Sequence, residues 1–593
     1  MRLAALALLV SSTAVAAPTV HTHLGEVRAC RPLGDDFLVG TGGGLARVDA
    51  RGNVRAVWTA VDGLPGTRID SISEVGGELW VGTELGAARI RVDGAKLEVA
   101  RRAGTKSVRA IVEHGGTRYV ATWDGGVTTL GGAAIAIRGG GNAQARARVS
   151  SLAVAGGSLY AGTAGGLYRL ANGRFELVPI ESGANEVASL YGDGDTLWIA
   201  TSAGLYSRTG TRVRSHGGGE LRVVTKQGGA IVVGGLGAAP RKLDRGRLVS
   251  TDLPGTLTQA IGEGCIGGLD GLWLRGGDGW NPAMLDDATR RPPANDVSAL
   301  AVDGAPQWVG TFDHGVAVLE RGRWKRIASR AIDHRVNAIL IDRSRRVWIA
   351  TATGVSIVEG APDAPAVTQL TKRDGLPARG VLSLAQLADG RILAGTMHGA
   401  VVLGDGRPVP LGVKQGLEAS NVWAVAQDAA GNVWLGTTTG LYRGRLDDRA
   451  WTRFSVATGH LRDDWVMALA VRGGAVWAGT YKGGVTRFDR RCAPPDDAAA
   501  RTSEAGPCDG DAATPLGDGW VNPGGLVWIG DTLHASTMEG VRIGDGQTAT
   551  WSTVPGRIGK DTTATARVGD TLWISTRRGI VGSPVLASRV DGR

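Results

Sequence analysis

Four cysteines in 593 residues are too few for a disulfide scaffold, and no His/Cys spacing of the zinc-site or metalloprotease kind occurs among them and the nine histidines. Aromatic residues make up only 5% of the chain, and no basic stripe interleaves with them, which excludes the stacking platform that single-stranded nucleic acid needs. Past the first ten residues no apolar run approaches the ~18 residues needed to span a bilayer. No basic tail stands out either. The net charge of +10 comes almost wholly from arginines interleaved with acids, a solvated surface with at most a preference for polyanions such as acidic glycans.

Glycine is abundant instead, at 94 residues. Helices tolerate it poorly, at about 1 kcal/mol per site relative to alanine, so glycine spread evenly between Val/Ile/Leu/Trp runs points to short strands and tight turns. One phrase recurs about fourteen times at a spacing of about forty residues: an apolar strand ending in Gly-Thr or Ala-Thr, a short turn, a glycine, then another strand. Examples are Trp80-Val81-Gly82-Thr83, Trp198-Ile199-Ala200-Thr201, Trp348-Ile349-Ala350-Thr351 and Trp434-Leu435-Gly436-Thr437; the copies at Val232-Val233-Gly234-Gly235 and Cys265-Ile266-Gly267-Gly268 are degenerate. Each unit reads as four strands, and a four-stranded unit of this period is a propeller blade. The small residue before Thr lets neighbouring sheets approach, and the Trp that opens the phrase anchors the core between them.

The fold expected is therefore all-β: two β-propellers, each of seven four-stranded blades, over 17–290 and 291–593, divided where Arg291-Pro292-Pro293 breaks the pattern. A six-plus-eight division remains open. Residues 491–519 read as an inserted surface loop, and Thr19 to Leu24 as a strand that closes one ring against a distant blade. Met1-Arg2, the apolar stretch Leu3 to Val10 and the small pair Ala14 and Ala16 have the form of a secretory signal over 1–16, placing the mature chain in the periplasm or outside the cell. An oxidising compartment would pair Cys492 with Cys508; a bridge between Cys30 and Cys265 requires their repeats to be neighbours in a closed ring.

The stretch Lys414-Gln415-Gly416-Leu417-Glu418-Ala419-Ser420-Asn421-Val422-Trp423, continuing to Asp428 and into Gly431-Asn432-Val433-Trp434-Leu435-Gly436-Thr437, resembles the two-component regulator propeller repeat, and Asp62-Gly63-Leu64-Pro65 and Asp374-Gly375-Leu376-Pro377 resemble the loop that opens it. The resemblance implies a periplasmic sensor built of paired propellers, of a kind that often recognises glycans. This sequence ends at Arg593 with no kinase segment, so the expectation is a sensor without phosphorelay activity, working with a separate membrane signalling protein.

The turn after the Thr faces one rim. Its residues are mostly small in the first half, Trp123-Asp124 excepted, and richer in the second: Phe312-Asp313-His314, Met397-His398, Tyr481-Lys482, Met538-Glu539 and Arg577-Arg578. On the second ring's face Phe312 and Tyr481, with Trp123, would stack on a ligand while Arg577, Arg578, Lys482, His314 and His398 meet anionic or hydroxyl groups; Asp124, Asp313, Met397 and Glu539 complete the candidate set. No catalytic residue, metal or cofactor is expected. His314 with Asp313, or His398, could act as a base, but lone turn histidines are surface residues as a rule, and Asp509-Gly510-Asp511 is a weak calcium signal. The functional expectation is binding of a glycan, small molecule or protein partner without turnover. A surface interaction scaffold and a propeller lyase or glycosidase stand as alternatives.

Overall fold

The computed structural model describes residues 18–584 apart from 181–185, 278, 305–306, 413–416, 418–420, 450, 490–512 and 555–559. Among the described residues the strands form fourteen sheets, thirteen of four strands and one of five. The chain folds as β-propellers. One strand of each sheet lies innermost, and the inner strands pack one on the next: Val27–Leu33, Ile69–Val75, Val108–His114, Val149–Ala155, Val187–Asp193, Val223–Gln227 and Thr258–Gly262, which returns to Val27–Leu33. A second circuit runs through Val297–Val302, Val336–Ile341, Val381–Gln386, Val422–Gln427, Val466–Arg472, Val521–Ile529 and Thr562–Val568, and closes on Val297–Val302.

The repeated phrase has a physical reason at each letter. The Gly sits where the next sheet comes closest: a Cβ on Gly40 would lie 2.7 Å from Ile69 Cγ2, on Gly162 2.5 Å from Val187 Cγ1, and on Gly479 2.7 Å from Val521 Cγ1. The Thr is buried and clamps the hairpin. Thr41 Oγ1 donates to Gly44 O at 2.9 Å and accepts from Gly43 N at 3.1 Å, and the pattern recurs from Thr83 to Thr576. Trp80, Trp308, Trp348, Trp434 and Trp477 are at most 4% exposed, in clusters shared by adjacent sheets. At roughly 25 cal/mol per Å², an indole that buries roughly 200 Å² contributes on the order of 5 kcal/mol of transfer free energy.

The Asp-Gly-Leu-Pro loops are capped turns. Asp62 Oδ2 accepts from Thr59 N at 2.8 Å, Asp374 Oδ2 accepts from Thr371 N at 2.8 Å, and Gly63 and Gly375 hold φ of 114° and 109°, which glycine adopts without a Cβ penalty. Each turn then drops its leucine, Leu64 or Leu376, into the core between two sheets.

The two circuits close by different means. Cys30 and Cys265 form a disulfide between the first and last sheets of the first ring, with Cα atoms 6.3 Å apart. Cys492 and Cys508 lie outside the described residues, as do most of the inserted loop and the signal segment. The second ring is closed by strand Thr19–His21, which pairs antiparallel with Gly579–Pro584. The chain thus crosses between rings at both Thr22–Leu24 and Asp286–Asn295, and the crossings are tied: His23 N donates to Asn295 Oδ1 at 2.7 Å, Asn295 Nδ2 to His23 O at 2.8 Å, and His23 Nε2 lies 3.2 Å from Asp286 Oδ2. Burial pushes the His23 imidazole down and the Asp286 carboxyl up from their ordinary values.

Candidate functional site

One backbone bond fixes the turns to the ring face. The residue after the Thr donates to the carbonyl just before the inner strand: Trp123 N to Ser107 O, Phe312 N to Asp296 O, Met397 N to Gly380 O and Tyr481 N to Trp465 O. Turn residues and strand-entry residues of each ring therefore share a face. A second recurring device brings side chains to the axis. Most inner strands carry a bulge at their second residue, and the skipped residues ring the centre.

In the first ring three of these residues, Arg28, Asp70 and Arg109, are charged. Arg28, Asp70, Arg109, Ser150, Ala188 and Gln259 line a cavity of about 320 Å³. The Asp70 carboxylate is fully buried and gathers three guanidiniums: Arg68 contributes two bonds of 3.0 Å, and Arg28 and Arg109 one each at 3.4 and 3.3 Å, with Ser107 Oγ at 3.0 Å. Arg109 also lies 4.9 Å from the Trp123 ring, so Trp123 belongs to this mouth and stands apart from the second ring's residues. Asp124 pairs with Lys106 at 3.2 Å. This charged mouth is not among the residues singled out from sequence. Aligning the repeats on Gly-Thr brings Arg28, Asp70 and Arg109 into register, each one residue past Val27, Ile69 or Val108.

In the second ring the corresponding residues include Ser298, Asn337, Leu382, Trp423, Met467 and Thr563, with no charge. Several are spent tying sheets together: Asn337 Nδ2 donates to Val381 O at 2.7 Å and Thr563 Oγ1 to Val297 O at 2.8 Å. Around this axis runs an aromatic series. Trp423 lies 5.8 Å from Trp465, Trp465 stacks on Tyr481 at 4.7 Å, and Tyr481 meets Trp520 at 4.2 Å. Lys482 Nζ stands 5.6 Å over the Tyr481 ring, and its backbone N donates to Asp463 Oδ2 at 2.6 Å.

The other sequence-derived residues are distributed around this face. Phe312 is half exposed, with Arg577 5.7 Å over its ring. Arg577 is held by Asp296 at 3.0 Å and Asp561 at 3.6 Å; burial pushes the Asp296 carboxyl up against that pull. His314 Nδ1 meets Asp313 at 2.5 Å. Met397 is half exposed, and the backbone N of its neighbour His398 donates to Thr396 Oγ1 at 3.0 Å. Glu539 pairs with Lys560 at 2.8 Å. Arg578 turns toward the first ring, where its Nε lies 3.9 Å from Glu84, a carboxylate whose pKa burial raises. The structure thus joins Phe312 to Arg577 and Tyr481 to Lys482, and leaves Trp123 and Arg578 with the first ring.

Among the described residues no group of His, Cys, Asp and Glu is arranged to hold a metal ion, and no helix is long and apolar enough to cross a membrane.

The arrangement defines a double-ring propeller with two chemically distinct axial faces. Residues 416–439 match the family model described as "Two component regulator propeller". No curated protein matches the chain by sequence. Among solved structures, the chain is similar to PorZ, an essential bacterial surface component of the type-IX secretion system of Porphyromonas gingivalis, at 13% identity and a TM-score of 0.64, covering 96% of this chain and 87% of PorZ. An ancestral GH74 enzyme matches at 12% identity and a TM-score of 0.60 over 97% of this chain and 100% of that one. The extracellular domain of BT4673, a hybrid two component system of B. thetaiotaomicron, matches at 16% identity and a TM-score of 0.40, over 97% and 84%. The likenesses to PorZ and to the GH74 enzyme show the fold alone.

Proposed function

We propose that the chain is an exported, non-enzymatic ligand-binding double propeller, two seven-bladed rings divided near Arg290 to Asn295, that serves as the receptor of a signalling system. The observation that carries this reading is the series Trp423–Trp465–Tyr481–Trp520, four aromatic rings joined by three consecutive contacts around one axial face, with Lys482 beside it. Flat rings match the C–H faces of a sugar or small heterocycle, and a nearby cation takes up a hydroxyl or anionic group. Phe312 and Met397, half exposed on the same face, extend the apolar surface. The charges there support binding over turnover, because Arg577 and Glu539 are each held by an opposite charge. The secretory form of residues 1–16 and the propeller repeat at 416–439 support the receptor role.

The test is a glycan and metabolite array probed with the mature protein, followed by calorimetry of any hit against Tyr481→Ala/Lys482→Ala. Truncating a central aromatic costs about 2 kcal/mol, so affinity should fall by about thirtyfold with the compound recovered unchanged. Conversion of the compound would make the protein an enzyme. Capture of a protein by this face with no small-molecule hit would make it an interaction scaffold.

A further inference from the structure

The mouth of the first ring has two unlike sides. On the side of the first three sheets, the Asp70 carboxylate is oversubscribed. Arg68 holds both of its oxygens at 3.0 Å and Ser107 adds a third bond, so Arg28 and Arg109 reach it only by single contacts of 3.4 and 3.3 Å to the same oxygen. Charge-assisted bonds of this kind settle at about 2.7–2.9 Å when a guanidinium has a carboxylate to itself. The Nε atoms of both Arg28 and Arg109 are buried with no hydrogen-bond partner. Glu26 pairs with Arg28, so three guanidiniums share two carboxylates and one positive charge is left over beside the axis. Arg222 and Glu186, farther round the rim, pair with each other at 3.8 Å.

The opposite side is apolar. Leu236 and Leu269 stand directly after Gly235 and Gly268, the two positions where the repeated Thr is missing. Leu236 bridges to Leu257, and Leu269 N donates to Leu257 O at 3.1 Å, so one strand entry holds both leucines. Among the described residues nine large apolar side chains are exposed, and Leu236, Leu269 and Trp123 are three of them, all lining this one cavity. The sixth and seventh repeats thus depart from the pattern where they set apolar groups at the mouth, and such departures from a local rule are expected at functional positions.

We propose that this mouth binds a small monocarboxylate with an alkyl or aryl tail, its carboxylate taken by Arg28 and Arg109 and its tail laid on Leu236 and Leu269. One surplus positive charge suits a single negative one, whereas a phosphate dianion would be repelled by the buried Asp70 beside it. The cavity, at about 320 Å³, falls at the lower end of the range of roughly 300–1,000 Å³ for small-molecule sites, which favours a compact ligand. This site is separate from the second ring's aromatic face, so either can fail alone.

The experiment is calorimetry of the mature protein with 3-phenylpropionate and octanoate, with 3-phenylpropionamide as the uncharged isostere, acetate as the head group without a tail, and inorganic phosphate. Either acid should bind at least about tenfold more tightly than the amide, acetate or phosphate. Arg109→Gln should abolish the preference for acid over amide. Leu236→Ser/Leu269→Ser should weaken the acid at least about fivefold and keep that preference, because it removes contact area and no charge. Arg212→Gln, an exposed arginine on an outer strand of the same ring, should change the affinity less than about twofold. Equal binding of acid and amide, tighter binding of phosphate, a loss in Arg212→Gln as large as in Arg109→Gln, or no binding of either acid up to about 1 mM would overturn the proposal. The leucine variant alters only exposed side chains, so the tail arm of the test stands even if Arg109→Gln fails to fold.

Discussion

A threonine and a glycine, repeated, explain most of the architecture. Thr437 is 1% exposed, donates to Gly440 O at 2.8 Å and accepts from Thr439 N at 3.1 Å, so one hydroxyl satisfies both sides of a tight hairpin. Thr437→Val keeps the shape and removes both bonds. Urea denaturation should show a loss of about 1–3 kcal/mol, with Thr437→Ser recovering most of it. In the sixth and seventh sheets Gly235 and Gly268 stand where the Thr would be, so those turns lack this clamp. His534 adds a pH term. It is 6% exposed, and burial depresses its pKa from 6.5 to about 4. The unfolded chain therefore binds the proton more readily, and stability present above pH ~6.5 is lost as pH falls toward 4, by about 3 kcal/mol at the lower end. Denaturation midpoints of His534→Gln measured across this window should fall less steeply with acid than those of the unaltered chain.

At the scale of elements, the two circuits are sealed by different devices. The second uses three residues, Thr19–His21, paired on Gly579–Pro584, and so borrows its last strand from the start of the chain. The first uses the Cys30–Cys265 bridge, which closes a separation of 235 residues. In the chain-entropy account, a loop of that length is worth about 5 kcal/mol. Cys30→Ala/Cys265→Ala should lower the unfolding midpoint in guanidinium, and a reductant should do the same to the unaltered protein while leaving the variant unmoved. An identical midpoint with and without reductant would mean that sheet packing alone, through Val27 against Gly267, closes this ring.

For the whole molecule, what could be read in advance follows from period. A strand phrase that repeats every forty or so residues announces a blade, and the Trp80, Gly82 and Thr83 positions carry their packing roles openly because each role depends on neighbours close in sequence or one repeat away. The Asp62-Gly63-Leu64-Pro65 loop is likewise local. The axial site is not, since Asp70 meets Arg28 and Arg109 from separate repeats, and only an alignment of bulged positions brings them together. The pairing of Cys30 with Cys265 depended in the same way on which sheets become neighbours. The aromatic series was half legible: Tyr481 sits in a turn that the repeat marks, whereas Trp465 and Trp520 lie at strand entries that it does not.

The central claim, that the second ring's aromatic face receives the ligand without changing it, is tested most directly by hydrogen exchange on the protein with and without the compound identified on the array, read by mass spectrometry alongside recovery of that compound. The account predicts new protection at Trp423, at Trp465 through Lys482 and at Trp520, absent in Tyr481→Ala/Lys482→Ala, with the compound intact. Protection confined to the Arg28–Asp70–Arg109 mouth of the first ring, or a compound consumed during the incubation, would contradict it.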